Sequence, residues 1–190
     1  DEPLRLHAVT LSTGGFLTRM EAKRFIDCTA SGAIVGHHGF GAFRSEKGAA
    51  QPLSLCFILG GVDTDKARVL VRNDNERSAN PTLRAALNEA MAAGRIKSFG
   101  GPWAVWGSTI RPGFVSVNAT RAEASDVTDP VQIAAATERM RREIPAIVDV
   151  MRQADPAFRN AWLAQTATTS GFRECREIKA LHRVTAAEVA

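Results

Sequence analysis

Pro52-Leu53-Ser54-Leu55-Cys56-Phe57-Ile58-Leu59-Gly60-Gly61 is the stretch on which the fold turns. It is a short apolar run held between breakers, Pro52 on one side and Gly60-Gly61 on the other. That length suits a buried strand better than a helix, which needs about 10–12 residues to declare itself. Towards the N-terminus, Leu4–Ser12 and Phe16–Cys28 are strand-like and flank Thr13-Gly14-Gly15. A Gly-Gly pair supplies the positive φ angles of a tight hairpin. The second run ends in Phe25-Ile26-Asp27-Cys28-Thr29 and then Ala30-Ser31-Gly32. Small residues there let a backbone approach a ligand closely, although on its own the stretch reads as an ordinary strand and turn. From Gly36 to Gln51 the chain is glycine-rich and loop-like.

Towards the C-terminus the signals are helical. Asn80 is an N-cap and Pro81 a first helical residue, with Leu83, Leu87 and Met91 on one face and Gly94 as the stop. Phe114-Val115-Ser116-Val117 alternates like a half-buried strand. Asp129 caps a longer helix, with Pro130 at its first position and Gln132 completing a capping box. Ile133, Met140, Ile144, Ile147, Val148 and Met151 form its apolar stripe. Pro145 should kink or split this helix, and Arg139, Arg141, Arg142 and Glu143 read as a solvated face. Beyond Pro156, Ala161–Thr168 and Gly171–Leu181 are strand-like, and Thr185-Ala186-Ala187-Glu188 looks like a capped helix start. The expected fold is α/β in the mixed α+β sense. An early hairpin and strand lead into a small mixed sheet covered by helices near 81–94 and 130–153.

Composition narrows the class. The chain has 190 residues, 45% hydrophobic and 23% charged, which excludes a disordered tail, a collagen-like fibre and a coiled coil. No apolar run approaches the length of a membrane span, and Asp1–Leu6 lack the order of a signal peptide. A net charge of +4 is mild, and Lys and Arg are not clustered with interleaved aromatics, so no nucleic-acid or membrane partner is expected. Cys28, Cys56 and Cys175 are an odd, widely spaced set without C-x-x-C. They suit buried free thiols in a reducing cytoplasm. Phosphate-loop, nucleophile-elbow and zincin motifs are absent, and so is G-x-G-x-x-G. His37-His38 is a poor chelate, because neighbours on an extended chain point to opposite faces, and no metal is expected.

Gly171-Phe172-Arg173-Glu174-Cys175-Arg176 carries more chemistry. On a strand, Arg173 and Cys175 face one way and Glu174 and Arg176 the other. Two guanidinium forks around a glutamate match a planar anion such as a carboxylate. A strand face with one internal ion pair accounts for the same pattern.

The ordered set of segments resembles a known family. Ile26-Asp27-Cys28-Thr29, Gln51-Pro52-Leu53-Ser54-Leu55 with Gly60-Gly61-Val62-Asp63, Val117-Asn118-Ala119-Thr120-Arg121, Asp129-Pro130 and Gly171-Phe172-Arg173-Glu174-Cys175-Arg176-Glu177-Ile178 follow one another. They resemble the middle portion of bacterial FAD-dependent oxidoreductases related to the fumarate-reductase and glutathione-reductase type flavoproteins. The resemblance implies FAD as cofactor of the complete enzyme and a hydride moved to or from a small-molecule substrate. It places Thr29 and Gly32 near the flavin, although Ala30 stands where the family has its first glycine. It places Arg121, Arg173 and Arg176 at the flavin–substrate face, to bind an anion or stabilise developing negative charge. Residues 1–35 then correspond to a remnant of the FAD-binding module and 36–190 to a substrate or insert domain. With the dinucleotide fingerprint absent, stable FAD binding by this chain alone is not expected. Cys175 is a redox thiol or, by default, a buried structural one. A non-catalytic binding or interaction domain that keeps only the fold is the rival expectation.

Overall fold

Alternation explains the decisive stretch. Leu53, Leu55, Phe57 and Leu59 are all within 1% of full burial, while Ser54, Cys56 and Ile58 between them are not buried. Period-two burial of this kind is what an extended chain produces when one face meets a core. The computed structural model describes residues 5–29, 31–37, 42–43, 51–69, 81–98, 103–105, 109–124, 126–173, 175, 177–178, 181–182 and 184–189. The expected cap Asn80, as well as Ala30, His38, Glu174 and Arg176, lie outside the described residues.

The chain divides into two units, one built from residues 1–48 and 174–190 and the other from 49–173. In the first, β1 (Ala8–Thr13) and β2 (Phe16–Glu21) pair antiparallel with Thr13 opposite Phe16. Gly14 and Gly15 have φ of 57° and 86°, so both turn positions need glycine, as the sequence predicts. The second strand stops at Glu21, and residues 24–29 are irregular where a strand is expected. The reason lies in Asp27, whose side chain turns to cap the short α1 (Ala33–His37) instead of continuing a ladder. β3 (Ala42–Phe43) pairs with β8 (Glu177–Ile178), and α5 (Ala186–Val189) begins at the expected Thr185 cap.

The second unit holds β4 (Phe57–Gly60), α2 (Thr64–Val69), α3 (Pro81–Ala92), β5 (Trp103–Val105), β6 (Val115–Asn118), α4 (Pro130–Ala154) and β7 (Trp162–Thr166). The strands order β5-β6-β4-β7, with every pairing antiparallel. Val115 and Val117 join the buried leucines, and Leu83, Leu87, Met140, Ile144, Ile147 and Met151 fill the core from α3 and α4. Each such side chain contributes about 1.5–3 kcal/mol when fully buried.

Two helical expectations need correction. Met91 is 38% exposed, and Ala90 takes the buried position. At 100° per residue, a step of seven from Leu83 returns to the same face, whereas a step of eight overshoots it. Gly94 does end the helix, at φ 72°, with its N–H on the Met91 carbonyl and the Arg95 N–H on that of Ala90. This is the Schellman arrangement. In α4, Asp129 accepts from the Val131 N–H at 2.8 Å, but Gln132 does not close a capping box. Its Oε1 accepts instead from the Asp126 N–H, and its Nε2 donates to Asp129. The helix runs unsplit through Pro145. Pro145 is exposed, and so is Arg141, whose carbonyl loses its partner and can be satisfied by water. Among the described residues no helix is long and apolar enough to cross a membrane.

Gly60 and Gly61 do more than stop a strand. A Cβ on Gly60 would sit 2.6 Å from the Trp162 ring, and one on Gly61, at φ 72°, would run into the Asn160 carbonyl. Gly94 shares that φ but has open space around it. Gly94→Ala is therefore expected to cost only the conformational term, about 1–2 kcal/mol. Gly61→Ala adds a backbone clash and should exceed about 3 kcal/mol. Urea midpoints of the two variants, compared with the parent chain, check the order. A second expectation concerns Asp63 at the start of α2. The Lys66 side chain, 2.7 Å away, and then the Lys66 N–H hold its carboxyl below the ordinary 3.8. Because the folded value is depressed, any stabilisation is present above 3.8 and disappears as pH falls through the lowered value. A carboxyl NMR titration should show a midpoint below 3.8 that rises in Lys66→Ala.

Candidate functional site

The alternation that buries Leu53, Leu55 and Phe57 sends Ser54 and Cys56 to the opposite face of the sheet, beside Ser116 and Asn118 of β6. Together with Gln51, Pro52, Arg121 and Arg173 they line a cleft of about 590 Å³. The chain reaches Arg121 by a second extended segment. Leu53 and Ala122 exchange both backbone hydrogen bonds, at 2.8 and 3.0 Å. The fully buried Thr120 hydroxyl accepts from the Leu55 N–H at 2.7 Å and donates to the Leu55 carbonyl at 2.9 Å. With Thr120 and Ala122 both inward, Arg121 between them must face the cleft.

The Arg121 guanidinium is pinned rather than swinging. Its Nη1 donates to Asn118 Oδ1 at 2.7 Å and to the Thr120 carbonyl at 2.6 Å. Burial pushes its pKa below the ordinary arginine range, and the neighbouring Arg173 pushes the same way while Cys56 opposes. An arginine so shifted stays charged at neutral pH. Arg173 arrives through the paired backbones of Ser54 and Gly171, at 2.8 and 3.1 Å, and its Nη1 donates to Gln51 Oε1 at 3.2 Å. Among the described residues that line this cleft there is no carboxylate. Two guanidinium groups, two hydroxyls, two side-chain amides and a thiol converge where an anion would be held by charge-assisted hydrogen bonds.

Of the residues singled out from sequence, Arg121 and Arg173 are brought together, and Arg176 lies outside the described residues. The strand expected over 171–181 is interrupted. Gly171 makes a bridge to Ser54, Arg173 is at a bend, Cys175 is in no strand, and Glu177–Ile178 are paired. Cys175, half-buried, donates its thiol to the Ser31 carbonyl at 3.5 Å in the first unit. The expectation of buried thiols fails for Cys28 and Cys56, which are exposed. Cys56 falls on the outward phase of a strand whose inward phase is leucine and phenylalanine. Ser54, Cys56 and Ser116 were missed as cleft residues, and the signal that finds them is this same period of two.

Thr29 and Gly32 sit in a capped turn of the first unit. Asp27 Oδ1 accepts from the Thr29 N–H and hydroxyl at 2.9 and 2.6 Å, Oδ2 accepts from the Ile34 N–H, and Thr29 Oγ1 accepts from the Ala33 N–H. Gly32 has φ 57°, which requires glycine. Since a carboxylate already takes the Thr29 and Ile34 amides, the turn does not fit a phosphate group of a dinucleotide. Among the described residues no group of three or more His, Cys, Asp or Glu could hold a metal. A second cavity, of about 610 Å³, lies further along the outer sheet face between Ile58, Phe114 and Trp162, the two aromatic rings meeting edge to face at 5.8 Å. Its aromatic rings share the wall with Arg111.

Thr120→Val keeps the shape of the clamp but strands the Leu55 N–H in the core. A loss of about 1–3 kcal/mol is expected, read as a lower urea midpoint.

A comparison with protein-family models matches residues 2–190 to the family described as FAD dependent oxidoreductase. No curated protein and no solved structure shows significant similarity to the chain.

Proposed function

Because the chain belongs to the FAD dependent oxidoreductase family, we propose that its cationic cleft holds the small organic anion on which a flavin-dependent oxidoreductase acts. The observation that carries this reading is the pair Arg121 and Arg173 in one cleft whose described lining residues include no carboxylate. FAD, when bound, supplies the two-electron chemistry, a hydride taken from or given to the substrate. The protein's own groups bind and orient. Arg121, pinned by Asn118 and Thr120, offers a fixed fork. Arg173 is exposed and donates to the Gln51 amide oxygen, which an incoming carboxylate can replace. Both charges oppose any negative charge lost from the cleft and favour any that develops there. Arg176 belongs to the same assignment through its motif. Thr29 and Gly32 belong to the cofactor side, through close approach at a residue without Cβ and not through phosphate contacts. In this reading residues 36–190 serve the substrate and 1–35 the cofactor.

Succinate is a suitable probe, with succinamide as its uncharged counterpart. Calorimetric titration of the 190-residue chain should show binding of succinate that weakens with salt, and no binding of succinamide. Arg121→Ala and Arg173→Ala should each weaken it about 10- to 100-fold, the range for a charge-assisted hydrogen bond. Equal affinity in all three proteins would overturn the assignment. After incubation with FAD and removal of unbound flavin the protein is expected to be colourless, since Asp27 takes the Thr29 and Ile34 amides. Flavin bands at stoichiometric occupancy would contradict that.

A further inference from the structure

Glu143 is the residue whose behaviour departs most from its sequence context. It lies in a run of arginines on α4 and reads as solvated, yet it is half-buried and accepts three hydrogen bonds. Its Oε1 accepts from the backbone N–H groups of Lys97 and Ser98, and its Oε2 from the Ser98 hydroxyl at 2.6 Å. Ser98 is 4% exposed, and its Oγ accepts in turn from the Arg121 N–H at 2.8 Å.

We propose that Glu143 and Ser98 are positioning residues that set the place of Arg121 in the cleft from α4; the proposal rests on the anion-binding reading of that cleft. The polarity of the chain of bonds is what gives it direction. A carboxylate can only accept, so it claims the single Ser98 proton. The Ser98 oxygen is thereby left with its lone pairs towards Arg121, and the Arg121 N–H is the donor that meets them. The anchor is rigid, because Ile144 and Ile147 next to Glu143 are fully buried. Arg121 is therefore fixed twice, at its backbone by α4 through Ser98 and at its guanidinium by Asn118 and Thr120. A shift of the backbone anchor displaces the guanidinium from its second set of partners. Preorganisation of this kind lowers the ordering cost of binding.

Glu143→Gln tests the polarity with little change of shape. An amide that keeps its oxygen on Lys97 and Ser98 must present N–H to the Ser98 hydroxyl, which reverses the bond. Ser98→Ala removes the link, and Ser98→Thr keeps the hydroxyl. In the full chain, succinate affinity is expected to fall about tenfold in Glu143→Gln and Ser98→Ala, the worth of one hydrogen bond, and to be restored in Ser98→Thr. By NMR, hydrogen exchange at the Arg121 amide should speed up at least about tenfold in the first two variants, with the Ala122 amide, bonded to Leu53, unchanged. Variants that lower the urea midpoint but leave both affinity and Arg121 exchange at parental values would overturn the proposal and leave a structural tie. The reading beneath it fails differently: succinate affinity unchanged in Arg121→Ala sinks the anion site, and the Arg121 exchange measurement still decides the relay.

Discussion

The clamp between Thr120 and Leu55 is the contact on which the second unit depends. One hydroxyl satisfies both the N–H and the carbonyl of Leu55, in a place with no water to do it. Next to it Leu53 and Ala122 close a reciprocal pair. Two segments far apart in sequence are thereby locked in register, and in an extended chain register decides the direction of every side chain. A slip of one residue would turn Leu53, Leu55 and Phe57 to the outside and Arg121 into the core. The hydrophobic cost of the first and the charge burial of the second make that alternative inaccessible. Core and cleft are two consequences of one constraint.

Much of this was legible in the residues. The glycine pair at 14–15, the strand between Pro52 and Gly60, the long helix opened by Asp129-Pro130 and the strand at 115–118 all rest on local chemistry, which folding does not override. The errors have a common origin in tertiary context. Met91 lies on the predicted face by spacing, but the core accepts Ala90 at the true angular period. Gln132 has the spacing of a capping box, yet the nearby Asp126 N–H is the donor it meets. The strand expected to run to Cys28 gives way because Asp27 finds amides to cap. Each error is a polar or angular choice decided by a neighbour that sequence order does not reveal.

The site was legible in a different degree. Arg121 and Arg173 are 52 positions apart, and nothing in their spacing says that they meet; their pairing came from motif order, and their proximity from the Ser54–Gly171 bridge. Glu143 was misjudged because its neighbours Arg139, Arg141 and Arg142 do read correctly as solvated, two of them paired with Glu138. A carboxylate inside an arginine-rich turn looks like one more surface ion. Its two backbone donors come from a segment 45 residues earlier, beyond the reach of any local rule.

The division of the chain has a consequence for how the protein is made. Residues 49–173 form one unit, while the other is assembled from both ends, with β3 near residue 42 waiting for β8 at residue 177. On the ribosome the inserted unit emerges whole before the strand that completes its host exists. The host must therefore stay open through the synthesis of the insert, its short β3 edge unpaired, and close only after β8 has been made. Synthesis at about 5–20 residues per second makes that wait about 7–27 seconds long. The unit that holds the cationic cleft is thus complete before the hairpin-bearing unit, although the latter is begun earlier.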